Sequence, residues 1–292
     1  MSAPRPTPDL ALAYEHCAEV TRRAGSSFAA AFWMLSPPRR RALHAIYAFC
    51  RLADDIADDP EVRGDRAALL ERWRAELRDA YLGKPRTPVG IALADTVQRF
   101  RLPEQVFLDL LRGVEWDLAG KEIETFEELQ QYCYCVASTV GLLVVRVLEA
   151  RDPGVLDYAE KMGIAVQLTN VLRDVGHDAR SGRIYLARED LERMNVPPEA
   201  LGEGKMTEDL RLLLALYAER ARIFYDKAAR ALPPDERRRL RAAEAMGRIY
   251  RSLLEELQAK GFPCLAPESL RLSKPRRLAI AARTFLGFEA RP

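Results

Sequence analysis

Three histidines and five cysteines are too few and too scattered for a familiar zinc site, because no C-x-x-C pair occurs and no histidine lies near enough to complete one. The cysteines (Cys17, Cys50, Cys133, Cys135, Cys264) are odd in number and give no disulfide framework, so they are read as reduced core thiols of a cytosolic protein. Charge of one sign is not in excess. The formal net charge of +2 carries no global nucleic-acid signature, and no nucleic-acid partner is expected. No apolar run approaches the ~20 residues that span a bilayer; the longest candidate, Val136 to Leu148, is interrupted by Gly141 and Arg146. The opening MSAPRPTPDL has neither an apolar signal core nor an Arg-rich amphipathic presequence, which points to the cytoplasm. Fixed-period repeats, low-complexity tracts and a glycine-rich dinucleotide fingerprint are also missing.

What is present is an ordinary globular composition, 48% apolar and 30% charged, on a chain of 292 residues that can bury a large core. Residues 1–8, with three prolines, are expected to form a disordered lead. Asp9 is expected to cap a helix running to about Arg23, with Gly25-Ser26-Ser27 interrupting it and a short apolar segment over Phe28 to Leu35. Ser36-Pro37-Pro38 then reads as an N-cap followed by proline at the first helical position, opening a helix that ends at Pro60. Apolar residues recur at helical spacing in Ala67–Leu82, Val89–Phe100, Val106–Leu118, Phe126–Leu148, Val155–Val175, Leu210–Leu232 and Leu240–Leu257. No alternating strand pattern competes. The expected class is all-α, a single large helical domain over 9–292 around a central cavity, with Leu186 to Glu208 as one long irregular connection.

One stretch breaks the local rules. Tyr47 to Asp59, YAFCRLADDIADD, puts Asp54 and Asp58 four residues apart on one helical face and repeats that spacing with Asp55 and Asp59. Like charges at that spacing oppose the helix, and they stand at the negative end of its dipole. A multivalent cation reverses both penalties, because a hard ion such as Mg²⁺ takes one or two carboxylates and leaves positions for water and phosphate. A solvated acidic surface explains the stretch equally well on its own. The second acidic stretch, Gln167 to Asp178 (QLTNVLRDVGHD), decides between them: Asn170, Asp174 and Asp178 at i, i+4 and i+8 line one face, again close to a helix end, at Ser181-Gly182. Arginines accompany both, Arg51 before Asp54 and Arg173 before Asp174, with Arg180 and Arg183 just beyond. A guanidinium fork suits diphosphate oxygens as Mg²⁺ does.

These stretches, together with YCYCVASTVG at Tyr132 to Gly141 and the continuation to Leu186 (QLTNVLRDVGHDARSGRIYL), resemble the squalene/phytoene synthase family of head-to-head prenyltransferases, from about Gly25 to Leu286. The resemblance implies an isoprenoid-synthase fold in which two aspartate-rich helices face each other across a deep cavity. It also implies metal ligation by Asp54 and Asp58 on one helix and by Asn170, Asp174 and Asp178 on the other. Tyr47, Arg51, Tyr132 and Arg173 correspond to residues at the reaction centre, and Ser27, Phe28, Val136, Gln167, Asn170, Tyr250 and Lys274 to residues that bind substrate.

The implied substrates are prenyl diphosphates, with Mg²⁺, or Mn²⁺ in its place, as the metal. NADPH enters only where the reaction continues to squalene. C1 of one chain is attacked by the C2–C3 double bond of a second, giving a cyclopropylcarbinyl diphosphate. Two farnesyl chains giving presqualene diphosphate is the leading expectation and two geranylgeranyl chains giving phytoene the alternative; a non-catalytic isoprenoid-binding relative is disfavoured by two intact acidic clusters. His177 stands where an acid is expected in many relatives and is read as a spectator or a modulator of the metal site. The basic stretch Arg271 to Arg283 suits either a diphosphate or an anionic membrane face, so the protein is expected as a monomer or homodimer with peripheral membrane contact.

Overall fold

The computed structural model describes residues 8–24, 32, 35–59, 61–266 and 269–286. The Gly25-Ser26-Ser27 break, most of the short apolar segment after it, and all but Pro8 of the expected disordered lead lie outside those residues. The order is α1 (Pro8–Arg23), α2 (Pro37–Asp58), α3 (Arg66–Tyr81), α4 (Pro88–Phe100), α5 (Glu104–Leu118), α6 (Phe126–Cys133), a π-helical turn (Tyr134–Ser138), α7 (Thr139–Val147), α8 (Gly154–Arg180), α9 (Arg188–Arg193), α10 (Glu208–Ala231), α11 (Arg237–Ala259) and α12 (Lys274–Phe285). No strand occurs among the described residues.

Local chemistry sets most helix starts. Asp65, Thr87, Thr125, Thr207 and Ser273 each accept from a backbone N–H three residues on, satisfying a donor that the first turn leaves unpaired. Two expected caps differ. Ser36 occupies the N-cap of α2 but its side chain makes no capping bond, so Pro37 starts that helix through its fixed φ. Asp9 lies inside the first turn of α1, which Pro8 opens, and there it complements the helix dipole.

Phe126 to Leu148, expected as one helix, carries the π turn. It brings Thr139 Oγ1 onto the Cys135 carbonyl at 2.6 Å, and short side chains let the neighbouring helices close on it. A Cβ on Gly113 of α5 would lie 2.6 Å from Val136 Cγ1, and one on Gly163 of α8 would lie 2.4 Å from Ser138 Cα. Within the connection expected to be irregular sits α9, anchored by the fully buried Asp190, which accepts from Tyr217 Oη at 2.9 Å and pairs with Arg193 and Arg220. That short helix is held by long-range partners, which periodicity cannot reveal.

Helix α8 is the spine. Val155, Tyr158 and Ala159 belong to a core shared with α1, α2, α4, α5 and α7, whereas Ile164 to Val175 belong to a second core shared with α10 and α11. Met162 packs against both. On the outside, α12 shows Leu278, Phe285 and Leu286 to solvent beside Lys274, Arg276 and Arg283. Because backbone lies where a Cβ would go, Gly163→Ala is expected to lower the unfolding free energy by about 1–3 kcal/mol, read from the urea midpoint at unchanged slope.

Candidate active site

A cavity of about 270 Å³ opens between α2, α5, the π turn with α7, α8 and α11. Its polar end carries Tyr47 and Asp54 from α2, Gln167 and Asn170 from α8, and Tyr250 from α11; the rest of the wall is aliphatic apart from Cys50 and Tyr158. Val136, Ala137, Val140 and Gly141 face this space, while a Cβ on Gly141 would meet the Ala159 carbonyl at 2.9 Å. The small residues of that stretch therefore serve cavity and helix packing together.

The end of α2 does not wait for a metal to balance its charge. Arg66 donates to the carbonyls of Ile56, Ala57 and Asp59, Arg183 to that of Ala57 at 3.1 Å, and these guanidinium groups take up the negative end of the helix dipole. Arg183 also pairs with Asp58, and Arg51 turns to Asp55 at 2.5 Å. Among the described residues no side chain pairs with Asp54 in this way. Burial, then the carboxylates of Asp58 and Asp117, push its carboxyl up to about 8.

On the other wall, Arg173 Nε donates to both Asp174 oxygens, at 2.9 and 3.0 Å, and Ser269 Oγ donates to Oδ1 at 2.7 Å. Burial would raise the Asp174 carboxyl, but Arg173 and Ser269 hold it below the ordinary value. Asp178 is raised, by burial and by Asp174, against the pull of His177 and Arg183. His177 is exposed, its Nδ1 3.4 Å from Asp178 Oδ1. Asn170 Nδ2 donates to Gln167 Oε1 at 3.2 Å, while its buried Oδ1 has no partner.

A fifth acid belongs to this region and was not singled out from the sequence. Asp117, in the last turn of α5, accepts from Tyr132 Oη at 3.1 Å and Tyr185 Oη at 2.8 Å, and the two rings stack at 5.0 Å. Burial first, and Asp58 with it, push its carboxyl up to about 6. Its sequence signal is the one that marked the others, an acid at the wrong end of a helix, here just before Leu118-Ala119-Gly120. Ser269 has no such signal.

The structure thus brings Tyr47, Asp54, Val136, Gln167, Asn170 and Tyr250 to one cavity, with Tyr250 beside Arg173. Tyr132, which bonds to Asp117, and Arg51, Asp58, Arg173, Asp174 and Asp178 are not among the cavity-lining residues. Lys274 is exposed and does not line it either; of the basic residues on α12, Arg277 is the one whose charge reaches Tyr250. Ser27 and Phe28 lie outside the described residues.

The donors fit a hard cation. Asn170 offers a buried, unpartnered amide oxygen and Asp54 a carboxylate crowded by its own kind, both of them oxygens. Among the described residues no group of three or more His, Cys, Asp or Glu side chains converges tightly enough to hold a metal alone. That openness suits Mg²⁺, which keeps several positions for water and phosphate.

Raised carboxyls make the stability of the metal-free protein depend on pH. The contribution of Asp117 is fully present below its unfolded value near 4 and is lost as pH rises through about 6; that of Asp54 is lost through about 8. Melting temperatures in a chelator should therefore fall from pH 4 to 8, and Asp117→Asn should flatten the lower part of that slope.

Residues 21–277 match the family described as squalene/phytoene synthase. Phytoene synthase 2 of Solanum lycopersicum is 36% identical over 275 residues, 92% of this chain and 88% of that one. Phytoene synthase 1 of Arabidopsis thaliana is 36% identical over 256 residues, 86% of this chain but only 61% of its own longer one. A crystal structure of a dehydrosqualene synthase superposes with a TM-score of 0.84 at 30% identity, covering 97% of this chain and 98% of that one. Squalene synthase of Alicyclobacillus acidocaldarius superposes at 0.79 with 29% identity, covering 88% and 97%. With a matching profile over most of its length, the chain belongs to the squalene/phytoene synthase family.

Proposed function

We propose that the protein condenses two farnesyl diphosphates head to head, with presqualene diphosphate as product or intermediate. The observation that carries this reading is one chamber with the acid Asp54 and the amides Gln167 and Asn170 at one end and a largely apolar wall beyond them, which matches a diphosphate head and a hydrocarbon tail. Mg²⁺ bound through Asp54, Asp58, Asn170, Asp174 and Asp178, with Mn²⁺ as a substitute, would stabilise the departing diphosphate.

The chain's own residues supply the remainder. Arg183 and Arg173 lie among the acids and can turn their guanidinium forks to the leaving group once a cation takes over the carboxylates. When the allylic C1–O bond breaks, its electron pair leaves with the diphosphate; the C2–C3 double bond of the second chain then attacks C1, and ring closure sheds one proton. Tyr47 and Tyr250 offer ring faces to the cation, worth roughly 0.5–2 kcal/mol each, and the aliphatic wall keeps water away. Asp117, whose carboxyl titrates at about 6 beneath two tyrosine hydroxyls, is the acceptor we assign to that proton.

Two geranylgeranyl diphosphates giving phytoene is the second reading, favoured by the names of the plant relatives. Incubation of each radiolabelled diphosphate with Mg²⁺, with and without NADPH, followed by product chromatography separates them. The C30 cyclopropyl product, presqualene diphosphate, is expected from the C15 substrate, with squalene only if NADPH is used, and no turnover of either substrate would refute an enzyme. Asp54→Asn and Asp174→Asn should each cut turnover at least about a hundredfold at an unchanged circular dichroism spectrum.

A further inference from the structure

At its aliphatic end the cavity is lined by one aromatic residue, Tyr158. The residues of α8 that face it run along a single stripe from Asn170 back to Tyr158. At ~1.5 Å rise per residue those twelve steps measure about 18 Å, so α8 is a ruler with its polar mark at Asn170 and its end mark at Tyr158. The neighbouring helix runs antiparallel to it: Gly163 meets Ser138 and Gly141 meets Ala159, a register that sets the cavity-lining Val144 and Val145 opposite residues 155–156, the turn of α8 toward which the Tyr158 side chain leans.

Tyr158 is only 2% exposed, and among the described residues its hydroxyl makes no hydrogen bond, although the charges of Glu244, Arg248 and Arg237 reach it. A buried hydroxyl left without a hydrogen bond is destabilising, so no such bond accounts for a tyrosine rather than a phenylalanine here. The bulk of the ring does.

Chain length follows from the same ruler. The twelve main-chain carbons of a farnesyl group, at a bond of about 1.5 Å in a tetrahedral zigzag, extend about 14 Å, and the sixteen of a geranylgeranyl group about 19 Å. Adding one van der Waals contact of about 3.5–4 Å, the shorter chain fills the distance from Asn170 to Tyr158, whereas the longer one overruns it by about one isoprene unit.

We propose that Tyr158 is the stop that sets substrate length, holding the protein to C15 chains, and that shortening this side chain admits C20 chains. The inference rests on the prenyl diphosphate reading above and deepens it.

Binding tests it apart from turnover. Farnesyl and geranylgeranyl thiodiphosphate, which resist ionisation, are titrated calorimetrically into the protein with Mg²⁺. The wild-type chain is expected to bind the C15 analogue at least about tenfold more tightly than the C20 analogue, a discrimination within reach of a pocket wall. Tyr158→Phe should keep that ratio, and Tyr158→Ala should bring the two affinities within about twofold. Tyr158→Leu serves where the alanine variant melts too low, and should shift the ratio in the same direction. Equal binding of both analogues by wild type, binding of neither, or a ratio unchanged in the shortened variants would each overturn the stop. Selective C15 binding that Tyr158→Ala abolishes, in a protein that makes no product, would refute the condensation and leave the stop standing. Condensation of both lengths with equal efficiency would do the reverse.

Discussion

Five carboxylates crowd in two groups, Asp54 with Asp58 and Asp117, and Asp174 with Asp178, with the charge of Arg183 reaching both, and the cost of that crowding governs the local structure. Two like charges 4 Å apart repel by about 4 kcal/mol even at an effective dielectric of 20. The fold meets part of this with arginine: Arg183 ties Asp58 to the segment after α8, Arg173 holds Asp174, and Arg51 takes Asp55. The remainder stays as raised carboxyls at Asp54 and Asp117 and as an empty-handed oxygen on Asn170. A site whose residual strain is removed by added positive charge binds a metal most tightly when that metal brings its own phosphate ligands to complete the shell.

Everything else in the fold keeps these groups apart at one end and keeps water out at the other. Helix α8 joins both cores and carries the polar residues and the far wall of the cavity on one stripe, so its straight length relates the diphosphate end to Tyr158. The π turn and the glycines opposite it let α5, α7 and α8 approach closely enough to make that wall continuous. The same contacts that stabilise the domain therefore shape the chamber.

The helices were legible because their periodicity is local: the apolar spans beginning at Val89, Phe126 and Leu210 start within about two residues of α4, α6 and α10, whose caps are Thr87, Thr125 and Thr207. The two acidic faces were legible for the same reason, since spacing of four on a helix fixes a common direction. What sequence reasoning missed is what depends on partners far along the chain. Arg66 capping α2, Ser269 on Asp174 and Asp190 anchoring α9 involve pairs whose meeting no periodic pattern encodes. Asp117 is an intermediate case, since its place at a helix end resembles the others but it has no acidic neighbour four residues away to draw notice. The π turn is invisible to a 3.6-residue period because it inserts its extra residue within an unbroken apolar run.

The central claim is that the two acidic walls form a complete metal site only with a diphosphate between them. Calorimetric titration of Mg²⁺ into the protein, with and without saturating inorganic diphosphate, measures this directly. The account predicts weak Mg²⁺ binding to the protein alone and binding at least about tenfold tighter with diphosphate present, a coupling that Asp54→Asn removes. Equally tight Mg²⁺ binding without diphosphate, or diphosphate binding indifferent to Mg²⁺, would contradict it.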